Sequence, residues 1–163
     1  TLIDGDSGQE LSSWDSDQEV AVLTQTTLSV ADTAQAIESI REKFPNAVVR
    51  NDICYATTNR QDAVKQMAGS VDLVLVIGAE NSSNCNRLRE VAESLGVPAY
   101  LINGPEEIDA SWLEGAEKVG ITSGASTPEV LVESVIERLA PDNVTMVSGV
   151  EEDISFNLPE QLR

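Results

Sequence analysis

The stretch VDLVLVI, Val71 to Ile77, decides the fold. It is nearly all apolar and rich in branched side chains. A strand with one wet face would alternate apolar and polar residues, so an unbroken run of this length predicts a strand covered on both faces by helices, as in a parallel sheet. Working outward, the apolar positions Ala63, Val64, Met67 and Ala68 just upstream predict a helix entered through the polar stretch Arg50 to Thr58. Ala47 to Val49 predicts a short strand before it, after the break at Pro45 and Asn46. Earlier still, Val20 to Leu23 reads as a strand and TQTT (24–27) as a loop. Ser29, with Asp32 three residues on, opens a helix reaching about Phe44.

The same unit recurs downstream. Gly78 to Asn84 is a loop, Leu88, Val91, Ala92 and Leu95 recur at helical spacing, and Gly96 is placed to stop that helix. Ala99 to Ile102 predicts a strand, Asn103 to Gly115 a loop with a short helix carrying Ile108, Trp112 and Leu113, and Val119 to Thr122 a further strand. The loop SGAST ends at Thr127, and Pro128 sits in the first turn of a helix reaching Leu139. Thr145 to Val147 and Ile154 to Leu158 read as short strands at an edge or against another lobe, while residues 1–19 read as an exposed connection. Four strand-loop-helix units in a row predict parallel strands with right-handed crossovers.

Composition narrows the function. The chain has 163 residues, 41% of them hydrophobic and 4% aromatic, so the core must be aliphatic and is large enough to fold without disulfides. Twenty-eight acidic residues against ten basic give a formal charge of -18, which argues against a nucleic-acid partner. Such a surface suits either an ordinary acidic protein or one adapted to high salt. No apolar run reaches the roughly 20 residues of a membrane span, and no basic-then-apolar leader opens the chain, so a cytoplasmic location is the expectation. With no histidine, the commonest general base and metal ligand is missing.

In a parallel α/β fold the loops after the strands emerge together, beside helix N-termini whose unpaired N–H groups favour anions. Here those loops read TQTT (24–27), NDICYATTN (51–59), GAENSSN (78–84) and TSGAST (122–127), crowded with hydroxyls, side-chain amides and glycines. Any one of them taken alone reads as a helix cap before it reads as a ligand site. Four gathered at one edge predict a site for a phosphate or diphosphate held without lysine or arginine. None carries the glycine pattern of a dinucleotide fold or a Walker loop. Cys54 lies in one of these loops at a helix start, either as a soft-metal ligand or as a small buried filler. Cys85, just inside the next helix, reads as packing.

The runs TQTTLSVADT (24–33), NDICYATTNRQDAV (51–64), GAENSSNCNRL (78–88) and GITSGASTPEVLV (120–132), with the closing EEDISFNLPEQLR (151–163), resemble the successive segments of the hydroxymethylbutenyl diphosphate reductase (LytB) family. The resemblance runs from about residue 20 to the end. It implies a fold of three α/β lobes around a 4Fe-4S cluster held by one cysteine from each lobe. It implies reduction of an allylic diphosphate alcohol to isopentenyl and dimethylallyl diphosphates by two electrons and two protons with loss of water, the last step of the non-mevalonate pathway, with a donor such as ferredoxin or flavodoxin. Carried over residue by residue, Cys54 resembles the third cluster cysteine, and Ser82, Ser83, Asn84 and Ser126 the diphosphate grip. Thr26 resembles the catalytic threonine near the substrate hydroxyl, with Gln25 and Thr57 as further substrate-lining positions.

The family's other two cluster cysteines, its substrate histidines and its proton-delivering glutamate belong to an amino-terminal half that has no counterpart in this sequence. Cys85 stands where the family more often has serine. The resemblance therefore implies parallel sheets flanked by helices, forming one complete lobe and part of a second. Residues 1–49 would be the second half of the middle lobe, 50–140 a complete lobe, and 141–163 a tail that packs on the missing amino-terminal lobe. Three readings follow: half of a reductase that works only with its other half, a diphosphate-binding module without a cluster, or an inactive folded fragment.

Overall fold

The computed structural model describes residues 14–50 and 53–147. Its nine regular elements among these residues are β1 (Ala21–Leu23), α1 (Val30–Lys43), β2 (Val48–Arg50), α2 (Tyr55–Ala68), β3 (Leu73–Ile77), α3 (Ser83–Ser94), β4 (Ala99–Ile102), β5 (Val119–Ser123) and α4 (Glu129–Leu139). Two 3-10 turns, Pro105–Glu107 and Ala110–Leu113, occupy the segment read as a loop with a short helix.

Every residue of β3 is buried, and the alternation of a strand divides them between two cores. Val74 and Val76 point to the side of α2 and α3, where they meet Val64, Met67, Leu88, Val91 and Ala92. Leu73, Leu75 and Ile77 point the other way, to Ile102, Ile108 and Val135, with Leu131 and Trp112 packed around them. Burying each such side chain contributes about 1.5–3 kcal/mol, which makes this strand the centre of the molecule. It pairs in parallel with β4 on one side and β5 on the other. Gly120 in β5 permits close packing, since a Cβ there would sit 2.7 Å from Met67 Sδ in the last turn of α2.

The expected parallel sheets are present, two of them among the described residues: β1 and β2 pair with each other, and β3, β4 and β5 form a separate three-stranded sheet, so the four loops expected at one edge are shared between two sheets. Three further expectations need correction. The strand begins at Leu73 and not Val71, because the Asp72 carboxylate is engaged across the gap, accepting from the backbone N–H groups of Glu117 (2.9 Å) and Lys118 (2.8 Å). Thr145 to Val147 is irregular and exposed, because a strand needs a neighbour to complete its ladder and none is seated there among the described residues. The strand expected at Ile154 to Leu158 lies outside the described residues. Pro128 is the residue before α4, in extended geometry, and not within its first turn.

Helix ends match the chemistry of their residues. Gly96, just past α3, takes a φ of 82°, the left-handed stop expected of it. Small carboxylate clamps then fasten the loops. The Glu107 carboxylate accepts from the Asn103 backbone N–H at 2.7 Å, and the Asp109 carboxylate from that of Ser111 at 2.8 Å.

These clamps shape the acid response. The backbone N–H groups of Lys118 and then Glu117 hold Asp72 below its ordinary 3.8. The Asn103 N–H holds Glu107 below 4.5, and the Ser111 N–H holds Asp109 below 3.8. A carboxyl whose folded pKa is depressed stabilises fully above its unfolded value and loses that stabilisation as pH falls through the folded value. Asp72→Asn is therefore expected to melt below the unsubstituted chain at neutral pH, with the gap closing as pH drops below about 4. Circular-dichroism melts of the two proteins side by side check this, since both carry nearly the same net charge. A gap constant with pH contradicts it.

Candidate functional site

The carboxyl edge of the three-stranded sheet is built around the end of β3. Gly78, with a φ of 157°, turns the chain away while its N–H donates to the Ile102 carbonyl at 2.9 Å. The Ile77 carbonyl accepts from the Gly124 N–H and from the Thr127 hydroxyl, each at 3.0 Å. One oxygen thus ties the loop after β5 to the loop after β3. The Cys85 thiol fills the notch beneath both: a Cβ on Gly124 would lie 2.6 Å from its sulfur, and a Cβ on Gly78 would also run into it. Cys85 is buried packing, as its position in the sequence suggested.

Over this floor α3 begins. Ser82 is the N-cap, its hydroxyl accepting from the Cys85 N–H at 3.3 Å. The Asn86 amide donates to the carbonyls of Glu80 (2.7 Å) and Ser82 (3.1 Å), holding the loop in a tight curl. Ser83 is exposed in the first turn and Ser126 is exposed on the facing loop. Asn84 is 92% buried by its 8% exposure, yet neither its amide nitrogen nor its carbonyl oxygen has a hydrogen-bond partner among the described residues. A buried amide in that state costs about 1–3 kcal/mol, which makes Asn84 the candidate group for a polar ligand at this edge.

The second cluster lies at the start of α2. Cys54 is its N-cap, half-buried, and its side chain makes no capping bond. Its carbonyl accepts from the N–H groups of Thr57 (2.8 Å) and Thr58 (3.0 Å), and its own N–H donates to the Thr26 carbonyl at 3.1 Å. Thr57 is buried, whereas Gln25 and Thr26 are exposed on the loop that follows β1. Cys54, Thr57 and Thr26 are thus brought together, with Gln25 adjacent in the chain.

The direction of α2 relates the two clusters. Its last turn, at Met67, lies against Gly120 near the start of β5, so it runs opposite to that strand. Fourteen helical residues rise about 21 Å, which carries the first turn of α2 to the carboxyl edge, the side on which α3 begins. The loops after β3 and β5 meet at the Ile77 carbonyl, and the loop after β1 meets the start of α2 at the bond from the Cys54 N–H to the Thr26 carbonyl, although these strands belong to two sheets. Residues 51 and 52 of the second loop lie outside the described residues.

Among the described residues no three His, Cys, Asp or Glu side chains gather to hold an ion, and of the chain's two cysteines one is the buried Cys85. Cys54, uncapped and half-buried, fits the role of a single soft ligand. Sequence reasoning missed Asn86, Thr127 and Gln61. Gln61 is 1% exposed and shares the inward stripe of α2 with Thr57, Val64 and Ala68; a glutamine at that spacing was the available signal.

The 4-hydroxy-3-methylbut-2-enyl diphosphate reductase of Actinobacillus pleuropneumoniae serotype 5b is 54% identical over 153 residues, covering 91% of this chain and 49% of that protein. Its counterpart in Saccharophagus degradans is 56% identical over 149 residues, covering 88% and 48%. The chain spans about half the length of the curated relatives it matches. Among solved structures, the E-1-hydroxy-2-methyl-but-2-enyl-4-diphosphate reductase of Plasmodium falciparum is similar with a TM-score of 0.86 at 30% identity, over 96% of this chain and 52% of that one. The family profile described as LytB protein matches residues 1–140, and on that match this chain belongs to the LytB family.

Proposed function

We propose that this chain is the carboxyl-terminal half of a 4-hydroxy-3-methylbut-2-enyl diphosphate reductase, supplying its diphosphate grip and one cluster ligand. The observation that carries the reading is the Asn84 amide, buried without a partner among the described residues in the first turn of α3. A diphosphate oxygen accepts from an amide N–H, from the hydroxyls of Ser83 and Ser126, and from free N–H groups of a helix N-terminus. The Ser82 hydroxyl, already accepting as the cap, retains a proton to donate outward. This grip needs no lysine or arginine, in keeping with a chain whose charge is -18.

With the diphosphate anchored there, the substrate's hydroxyl end extends toward the second cluster. Thr26 holds a hydroxyl for that end, with Gln25 and Thr57 lining the way. Cys54 would bind one iron of a 4Fe-4S cluster, which when bound supplies two electrons singly. The reaction breaks the allylic C–O bond, takes up two electrons and two protons, and releases water with isopentenyl or dimethylallyl diphosphate. The other cluster ligands and the proton donor belong to the amino-terminal half, and a small iron-sulfur or flavin protein such as ferredoxin or flavodoxin delivers the electrons. On this reading residues 1–49 are part of the middle lobe, 50–140 a complete lobe and 141–163 the tail returning to the amino-terminal lobe. The exposed Val144, Met146 and Val147 suit such a docking role. No helix of the described residues is long and apolar enough to cross a membrane, in keeping with work in the cytoplasm.

The test is completion. The chain is joined to the amino-terminal half of a relative, supplied anaerobically with iron and sulfide, and assayed for both products with a reduced donor. Product formation that requires both halves is the expected result. Diphosphate binding without iron uptake or turnover by the joined protein would instead leave a binding module, and the reductase reading would fall.

A further inference from the structure

Hydrogen bonds from α2 and its cap join the Thr26 loop to the rest of the candidate site. α1 and β1 belong to the two-stranded part of the molecule, whereas α2 packs on the three-stranded part. Where they meet, a cleft of about 370 Å³ separates Ser29 and Ala31 from Lys65, Arg87 and Val91. Gln61 stands in the wall of that cleft, 1% exposed, and both ends of its amide are used on the far side. Its Nε2 donates to the Leu28 carbonyl at 3.0 Å, and its Oε1 accepts from the Val30 N–H at 3.2 Å. These two bonds grip the backbone on either side of Ser29, at the end of the loop that holds Gln25 and Thr26. A further tie lies within the same loop, where the Cys54 N–H donates to the Thr26 carbonyl at 3.1 Å.

From this we infer that Gln61 is a positioning residue, setting the Thr26 loop at a fixed distance from the start of α2 and so from Cys54. The geometry is specific to an amide. The donor and the acceptor must lie on one planar group to take a C=O and an N–H two residues apart, and no apolar residue of similar length does both. Inside a low-dielectric wall such bonds hold their directions firmly, and a displacement of about 1 Å at a reacting group lowers turnover about 100-fold. The inference rests on the reading above that Thr26 faces the substrate.

Two measurements test it. In the joined reductase, Gln61→Met is expected to lower kcat at least about tenfold while KM and the Kd for inorganic diphosphate stay within about twofold. Gln61→Glu keeps the acceptor for Val30 but sets a carboxylate oxygen against the Leu28 carbonyl, and is expected to lose turnover in the same pattern. In this chain alone, amide exchange at Val30 is expected to quicken at least about tenfold in either variant while Val74 to Ile77 stay protected. If Gln61→Met does not fold, Gln61→Glu carries both comparisons. Exchange that rises equally in the loop and in β3, or kcat and KM that worsen together, would reduce Gln61 to a structural residue and overturn the inference. Full turnover in Thr26→Ala would strike the role given to Thr26 instead, and the clamp then stands or falls on the exchange result.

Discussion

Replacing Asn84 with leucine is expected to stabilise the chain and to weaken its hold on diphosphate. Asn84 keeps both polar atoms of its amide out of water without a partner among the described residues, and a group in that state destabilises by about 1–3 kcal/mol. Leucine has nearly the same shape and removes the penalty, so the denaturant midpoint of Asn84→Leu should rise by the equivalent of about 1 kcal/mol. Loss of hydrogen bonds from a buried amide to a charged oxygen should weaken inorganic diphosphate binding, followed by titration calorimetry, by about 10- to 100-fold. Ser83→Ala makes the useful comparison: Ser83 is exposed, so its loss should trim affinity with little change in stability. A lower midpoint for Asn84→Leu with intact diphosphate binding would show Asn84 to be an ordinary structural amide and remove the support for a ligand at this edge.

The parts of this molecule that could be read from the sequence are those set by local chemistry. VDLVLVI announced β3 because a run apolar at every position has to be covered twice, and both cores fall on it as that pattern requires. Gly96 announced the end of α3 because only glycine takes its φ without strain. Which strands pair was not legible in the periodicity, because neighbours are set by contacts far apart in sequence; only the resemblance implied more than one sheet. Nor could the sequence show that Thr145 to Val147, read as a short strand, would find no partner strand among the described residues. The residue types of the candidate site were likewise visible in the loops, and the bond between the Cys54 N–H and the Thr26 carbonyl joins two of them. Gln61 stayed hidden because a glutamine in a helix reads as surface until its position on the inward stripe is counted against Val64 and Ala68.

Cys54→Ser is expected to abolish reductase function in the joined protein without harming the fold. Cys54 occupies the N-cap of α2 and its side chain makes no capping bond. Serine is a preferred N-cap, because its oxygen accepts from the free N–H groups of the first turn, so the substitution should leave stability unchanged or raise it by up to about 1 kcal/mol. A serine hydroxyl is a much poorer iron ligand than a thiolate, and with one of three protein ligands weakened the joined enzyme should hold far less iron. Turnover should fall by more than the roughly 10- to 100-fold seen when partners behind a metal ligand are removed. Iron content, thermal midpoint and product formation measured on one preparation decide the matter. Full iron and full activity would exclude Cys54 as a ligand, and a midpoint that falls with them would make it a folding residue. At the starts of both α2 and α3, then, the residue present is one that a purely structural choice would replace: a cysteine where serine caps better, and a buried amide where leucine packs better. Departures of this kind from an otherwise consistent fold are what the proposed site would cost its scaffold.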